Sequence, residues 1–233
     1  MNVIKAHSRK LTFFIVFLVV FLSLYLYSTV FVIRKVVITG TTDLKGVSRF
    51  YGQSFFFVSS NEIESELYQS NSRIKSISVQ KSLPDKLAIT VTNNRPVAEL
   101  VIADGTLLLS TEGRIISKQR KKITSEKIPL LTYYQLLYFN QYSSGEILES
   151  KDILASLVFA DELSNRGIQV ESIDIQNENM ILLREKEREF VFGVGKKTAA
   201  QLVEVGFVVE QMSIQGKKYK RIDFRFEKPV ISY

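Results

Sequence analysis

GVGKKT, residues 193–198, sets two glycines ahead of two lysines and a threonine, the residue types that cradle a phosphate. A phosphate loop of the G-x-x-x-x-G-K-[ST] type needs backbone N–H groups from a glycine-rich turn and a hydroxyl for Mg2+. With Gly195-Lys196 as its core, that pattern requires Gly at 190 and Ser or Thr at 197, where the chain has Phe190 and Lys197. The segment therefore reads as a cationic turn between a strand and a helix. Carboxylate pairs offer a second chemistry. Glu185/Glu187 and Asp223/Glu227 could act as acid and base in glycan cleavage if held about 5–9 Å apart across a cleft. The same spacing is that of solvated acids along strands, which is the preferred reading. Cys is absent and the single histidine, His7, lies in a basic N-terminal tail. A thiolate nucleophile, a disulfide framework, a Ser-His-Asp triad and a His- or Cys-ligated metal are thus all unavailable to the folded part. No cofactor and no metal are expected.

What must position any functional residue is set first by an apolar run. Leu11 to Ile33 contains no charged residue and, as a helix, would be about 34 Å long, enough to span a bilayer with some tilt. It is too long for the apolar part of a cleaved signal peptide, and no small-x-small site precedes Arg34. Lys5, Arg9 and Lys10 precede the run and Arg34 and Lys35 follow it, a bias that points the N-terminus to the cytoplasm and the bulk of the chain outside. Residues 34–233 hold 28 basic and 24 acidic residues, so the net charge of +7 gives no reason to expect nucleic acid as a partner.

Past the run, RKVVITG reads as a strand ended by Gly40, TDLKGVSRFYG as a short helix stopped by Gly52, and Ser59 as the cap of a second helix. Glu62 completes a capping box with Ser59, and Ile63 and Leu67 share one face. Two strands follow, Ile77 and Val79 facing the same way as Leu87, Ile89 and Val91 across a Pro84-Asp85 turn. The order β-α-α-β-β predicts a three-stranded sheet covered on one face by two helices. SFFFV, residues 54–58, is expected to fill the core between those helices.

Beyond residue 95 the pattern predicts a hairpin at Asp104-Gly105, a turn at Glu112-Gly113, and a solvated loop at KQRKK, residues 118–122. A helix through Ile153, Leu154, Leu157 and Val158 stops at Gly167. Strands IQVESIDIQ, MILLREK and EFVFGVG, a helix from near Thr198 and one final strand, YKRIDFRFEKPVISY, complete the chain. Terminal strands often lie at sheet edges and can accept a partner's strand; an internal strand closed off by its neighbours is equally compatible with these residues. Pro229 would interrupt donation at one position only.

Val36 to Gly40 straight after an anchor, the P-x-x-L-x-I-x-V hairpin at Pro84, Leu87, Ile89 and Val91, and RPVA at Arg95–Ala98 together resemble the FtsQ/DivIB family of bacterial cell-division proteins. FVFGVG followed by a helix and by Ile222, Asp223 and Arg225 extends the resemblance to the C-terminal β domain of that family. Asn94 stands where the family usually has Glu, and Ser110-Thr111-Glu112 where an Asp usually precedes the glycine. The resemblance implies an α+β chain with a cytoplasmic tail at 1–10, a transmembrane helix at 11–33, a POTRA domain at 34–95 and a mixed, mostly antiparallel β domain at 96–233. It further implies a non-catalytic scaffold of the division septum in the cytoplasmic membrane. Its expected partners are FtsB/DivIC-like and FtsL-like bitopic proteins and, through them, the septal peptidoglycan synthase. Strand addition at the C-terminal strand would use Arg225, Phe226, Lys228, Val230, Ile231 and Tyr233. A membrane-anchored wall hydrolase using a carboxylate pair is the alternative enzyme reading, and a POTRA chaperone of a secretion or assembly machine the other.

Overall fold

The computed structural model describes residues 14–23, 25, 29–41, 43–120 and 128–233, which form two compact units divided between Asn93 and Asn94. Ahead of the first unit, residues 14–23 are helical, with apolar side chains such as Phe14 and Phe17 exposed. Among the described residues no helix is long and apolar enough to cross a membrane. Part of the expected span, with the tail before it, lies outside them. The far end of that span is corrected. Phe31, Val32 and Ile33 are not helical: Val32 bridges Ser54, the Ile33 N–H donates to the Gln53 carbonyl at 3.0 Å, and the Ile33 side chain is fully buried in the first core.

The first unit is built on β1 (Lys35–Thr39), β2 (Ile74–Ser82) and β3 (Lys86–Asn93), in the order β1-β3-β2, with β1 parallel and β2 antiparallel to β3. Alternation buries Leu87, Ile89 and Val91 with Val79 on one face, as the spacing predicts. Helix α1 (Ser60–Ser70) lays Ile63 and Leu67 on that face, and the Glu62 carboxylate accepts the Ser59 N–H at 3.2 Å. The expected helix over residues 43–52 is a single 3-10 turn, Val47–Phe50. Gly46 before it and Gly52 after it both take positive φ, leaving five residues between them, too few for α-helical bonds to propagate. SFFFV divides: Phe55 is buried, whereas Phe56 and Phe57 are exposed.

The second unit is one nine-stranded sheet. Its strands are β4 (Pro96–Ile102), β5 (Gly105–Ser110), β6 (Ile115–Gln119), β7 (Leu130–Tyr133), β8 (Ser172–Asn177), β9 (Met180–Glu185), β10 (Arg188–Phe192), β11 (Arg221–Asp223) and β12 (Val230–Ser232). In space they run β12-β11-β10-β9-β8-β7-β4-β5-β6. Pairs β4–β7, β7–β8 and β10–β11 are parallel and the rest antiparallel. Helices α2 (Lys151–Asn165) and α3 (Thr198–Gln215) pack on it. Val203, Phe207 and Ile214 on α3 stay exposed.

Four expectations change here. Strand β7 is not foreseen, because four residues are too short to show alternation, yet it joins the two halves of the sheet. Ser110 supplies what the missing Asp would: its hydroxyl accepts the Arg114 N–H at 3.2 Å and closes the turn at Gly113. Lys118 and Gln119 belong to β6 rather than to a solvated loop. The Lys118 ammonium donates to the Tyr142 carbonyl at 2.8 Å and lies over the Phe139 ring. Lys121 and Lys122 lie outside the described residues. Arg95, expected to close the first module, is bonded into the second: it pairs with Asp161 and donates to Asn165 at 3.3 Å.

Gly40 carries the tightest constraint in the first unit. Its φ is 97°, and a Cβ there would lie 1.9 Å from the Val91 carbonyl oxygen on β3. Gly40→Ala is expected to destabilise this unit by at least about 1–3 kcal/mol through backbone strain alone, read as a lower denaturation midpoint for its unfolding step.

Candidate partner-binding edge

The chain's last fifteen residues do not form one strand. The alternation of Ile222, Phe224 and Phe226 suggests continuity, but β11 ends at Asp223, residues 225–228 bend, and β12 returns antiparallel, pairing Ile222 with Ile231 and Asp223 with Val230. Two contacts force the turn. The Phe224 ring stacks on Phe192 of β10 at 5.0 Å between centroids, and Phe192 stacks on Phe159 of α2 at 4.0 Å. The Lys196 ammonium donates to the Phe226 carbonyl at 2.7 Å and the Phe224 carbonyl at 3.2 Å while paired with Glu204 at 2.6 Å. This is the role of the GVGKKT turn: its lysine holds a backbone bend, and buried Gln201 braces it by accepting from the Gly193 N–H at 2.9 Å and donating to the Gly193 carbonyl at 2.7 Å.

Strand β12 has β11 on one side and no other described strand on its far side. The opposite margin of the sheet is bonded at its start: β6 meets the segment that follows β7 at its first residue, through Ile115 N–H to the Glu146 carbonyl at 2.8 Å and Gly145 N–H to the Ile115 carbonyl at 2.8 Å. In the first unit, the Glu64 carboxylate accepts the Val79 N–H of β2 at 2.6 Å and so occupies that margin. The outer sides of β1 and β12 are the edges without a described neighbour, and β1 exposes Val37 and Ile38.

Of the six residues expected to contact a partner, Val230 and Tyr233 are exposed on or beside β12 and Ile231 is half-buried against the core. Phe226 and Lys228 are exposed on the bend instead. Arg225 is committed internally. Its guanidinium holds Asp223 at 2.6 Å and 2.9 Å, sits 5.7 Å from the centre of the Phe226 ring, and its stem packs on Gly193. Sequence reasoning missed the cationic hollow of about 440 Å³ beside Tyr233, lined by Arg188, Lys217, Lys218, Tyr219 and Lys220. The KKYK run was the available signal.

Glu185 pairs with Arg188, and Glu187 sits exposed in the β9–β10 turn. Burial pushes the Asp223 carboxyl up, but hydrogen bonds from the Arg225 side chain and backbone, with the charges of Arg225 and Arg221, outweigh it and hold Asp223 below the usual carboxylate range. A proton donor for glycan cleavage needs the opposite shift. Among the described residues no cluster of acidic or imidazole side chains could hold a metal.

Residues 31–93 match the family model described as the POTRA domain, FtsQ-type. No curated protein matches the chain.

Two outcomes are expected from this geometry. Phe224→Ala should cost about 3–5 kcal/mol, with amide exchange accelerating first in residues 219–233. Because the Asp223 pKa is lowered on folding, its contribution is complete above the ordinary carboxylate range and is lost as pH falls through the folded value. Amide protection of β11 should therefore fall on acidification below about pH 4, and Asp223→Asn should lower it at pH 7 and flatten that dependence.

Proposed function

From a chain that carries an FtsQ-type POTRA domain and belongs with the FtsQ/DivIB cell-division proteins, we propose a non-catalytic scaffold role at the division septum, exerted by strand addition to β12. The observation that carries this is the asymmetry of the nine-stranded sheet: β6 is bonded by its own chain at Ile115, whereas β12 is left as an edge by the described residues. An extended segment pairing with Val230–Ser232 would gain backbone hydrogen bonds, while exposed Val230, Phe226 and Tyr233 supply contact area and selectivity. The bend held by Lys196 and the Asp223–Arg225 pair keep this edge in one shape before binding, which lowers the ordering cost of association.

The proposed partners are FtsB/DivIC-like and FtsL-like bitopic proteins, which would link the chain to the septal peptidoglycan synthase. The uncharged run from Leu11 to about Val30, with Lys5, Arg9 and Lys10 ahead of it, supports a single N-in membrane pass that leaves both folded units outside the cytoplasmic membrane. Asp223, bound to two arginines and held ionised, weighs against the wall-hydrolase alternative.

The test is binding of the full chain in nanodiscs to the extracytoplasmic segments of FtsB/DivIC-like and FtsL-like proteins. Val230→Lys and Phe226→Lys are expected to weaken binding at least about tenfold, or 1.4 kcal/mol, with circular dichroism unchanged. Val37→Lys on β1 is expected to leave it intact. Loss of binding with Val37→Lys but not with Val230→Lys would move the docking edge to the first unit and reject this one.

A further inference from the structure

The exposed aromatic pair of the first unit is placed where the chain leaves its apolar run. Phe56 is 50% and Phe57 80% exposed, yet their loop is held on both flanks. On one flank the Phe55 N–H donates to the Phe31 carbonyl at 2.9 Å, the Gly52 N–H donates to the Ile33 carbonyl at 3.0 Å, and the Phe31 ring meets Phe56 edge-on at 5.1 Å. On the other, the Lys81 ammonium donates to the Phe55 carbonyl at 2.8 Å and to the Val58 carbonyl. Two large apolar side chains this exposed on a loop held at both flanks are placed to meet an apolar surface.

We propose that Phe56 and Phe57 insert into the outer interface of the lipid bilayer and fix the tilt of the first unit on the membrane surface. This rests on reading residues 11 to about 30 as a bilayer span. A chain leaving the hydrocarbon near Val30 has Phe31 at the interface, a zone roughly 5–10 Å deep in which aromatic rings settle. Phe56, with its ring centre 5.1 Å from that of Phe31, is close enough to reach the same zone. Charge at this end fits the same occupant. Arg34, Lys35 and Lys86, which pairs with Lys35 across the sheet, join Lys81, against the acids Asp85, Glu62 on the Ser59 N–H and Glu64 on the Val79 N–H. Such an excess of cations favours anionic headgroups.

Since the chain has no cysteine, single labels report cleanly. Full-length Phe57→Cys, Thr92→Cys and Val20→Cys would each carry a nitrobenzoxadiazole dye in phosphatidylethanolamine/phosphatidylglycerol vesicles, with melting curves confirming the fold. Thr92 is exposed and about 20 Å along β3 from Lys86. The expected result is at least twofold stronger quenching of the Phe57 label than of the Thr92 label by doxyl groups near the headgroup, and at least twofold weaker quenching by aqueous iodide. If the Val20 label is lipid-buried while the Phe57 label behaves like Thr92, insertion is wrong and the span stands. An iodide-accessible Val20 label removes the span and this proposal together. Protection of Phe57 from iodide without lipid quenching means contact between copies, and it too overturns the proposal.

Discussion

A three-ring stack, Phe159 of α2 on Phe192 of β10 and Phe192 on Phe224 after β11, carries the architecture of the C-terminal end. Strands β11 and β12 have three residues each, and so short a pair is marginal unless a hydrophobic contact fixes it to a larger body. All three rings of the stack are fully buried. Once Phe224 is locked there, the chain cannot continue outward as a strand; its carbonyls must find donors, and Lys196 supplies them. The bend, the return of β12 and the edge it forms all follow from that one set of contacts.

Edges are where a sheet meets other chains, and this protein treats its edges unequally. Glu64 caps a β2 amide, and the segment before α2 bonds β6 at Ile115, with Lys118 pinned beneath it. Bonding a margin in these ways occupies part of the template that unpaired N–H and C=O groups present. Strand β12 is the short, braced edge left among the described residues. A hollow lined by Arg188, Lys217, Lys218 and Lys220, with Glu187, opens beside Tyr233.

Coupling between the apolar run and the first unit is direct. Phe31–Ile33 are structural members of that unit, with Ile33 in its core and backbone bonds to residues 53 and 55, so no free linker separates the two. Lys81 works against the same loop from the opposite flank, which is why an ammonium in the alternating β2 pattern is half-buried rather than solvated.

Local chemistry was fully written in the sequence. The Ser59–Glu62 cap, the alternation that buries Leu87, Ile89 and Val91, the hairpin before Gly105 and the stop at Gly167 each depend on residues within a few positions of one another. So did the failure of GVGKKT as a phosphate loop, and the family resemblance drawn from Val36–Gly40 and the Pro84 hairpin, both inside the matched residues 31–93. Tertiary structure alone decided the rest, because the deciding partners are far apart in the chain. Phe224 meets a ring 32 positions earlier, Lys196 reaches a carbonyl 30 positions later, and Asp161 takes Arg95 from 66 positions away. Alternation cannot show that a strand must break at residue 224, nor that four residues at 130–133 will be drawn between β4 and β8, since both depend on what the rest of the sheet leaves to be filled.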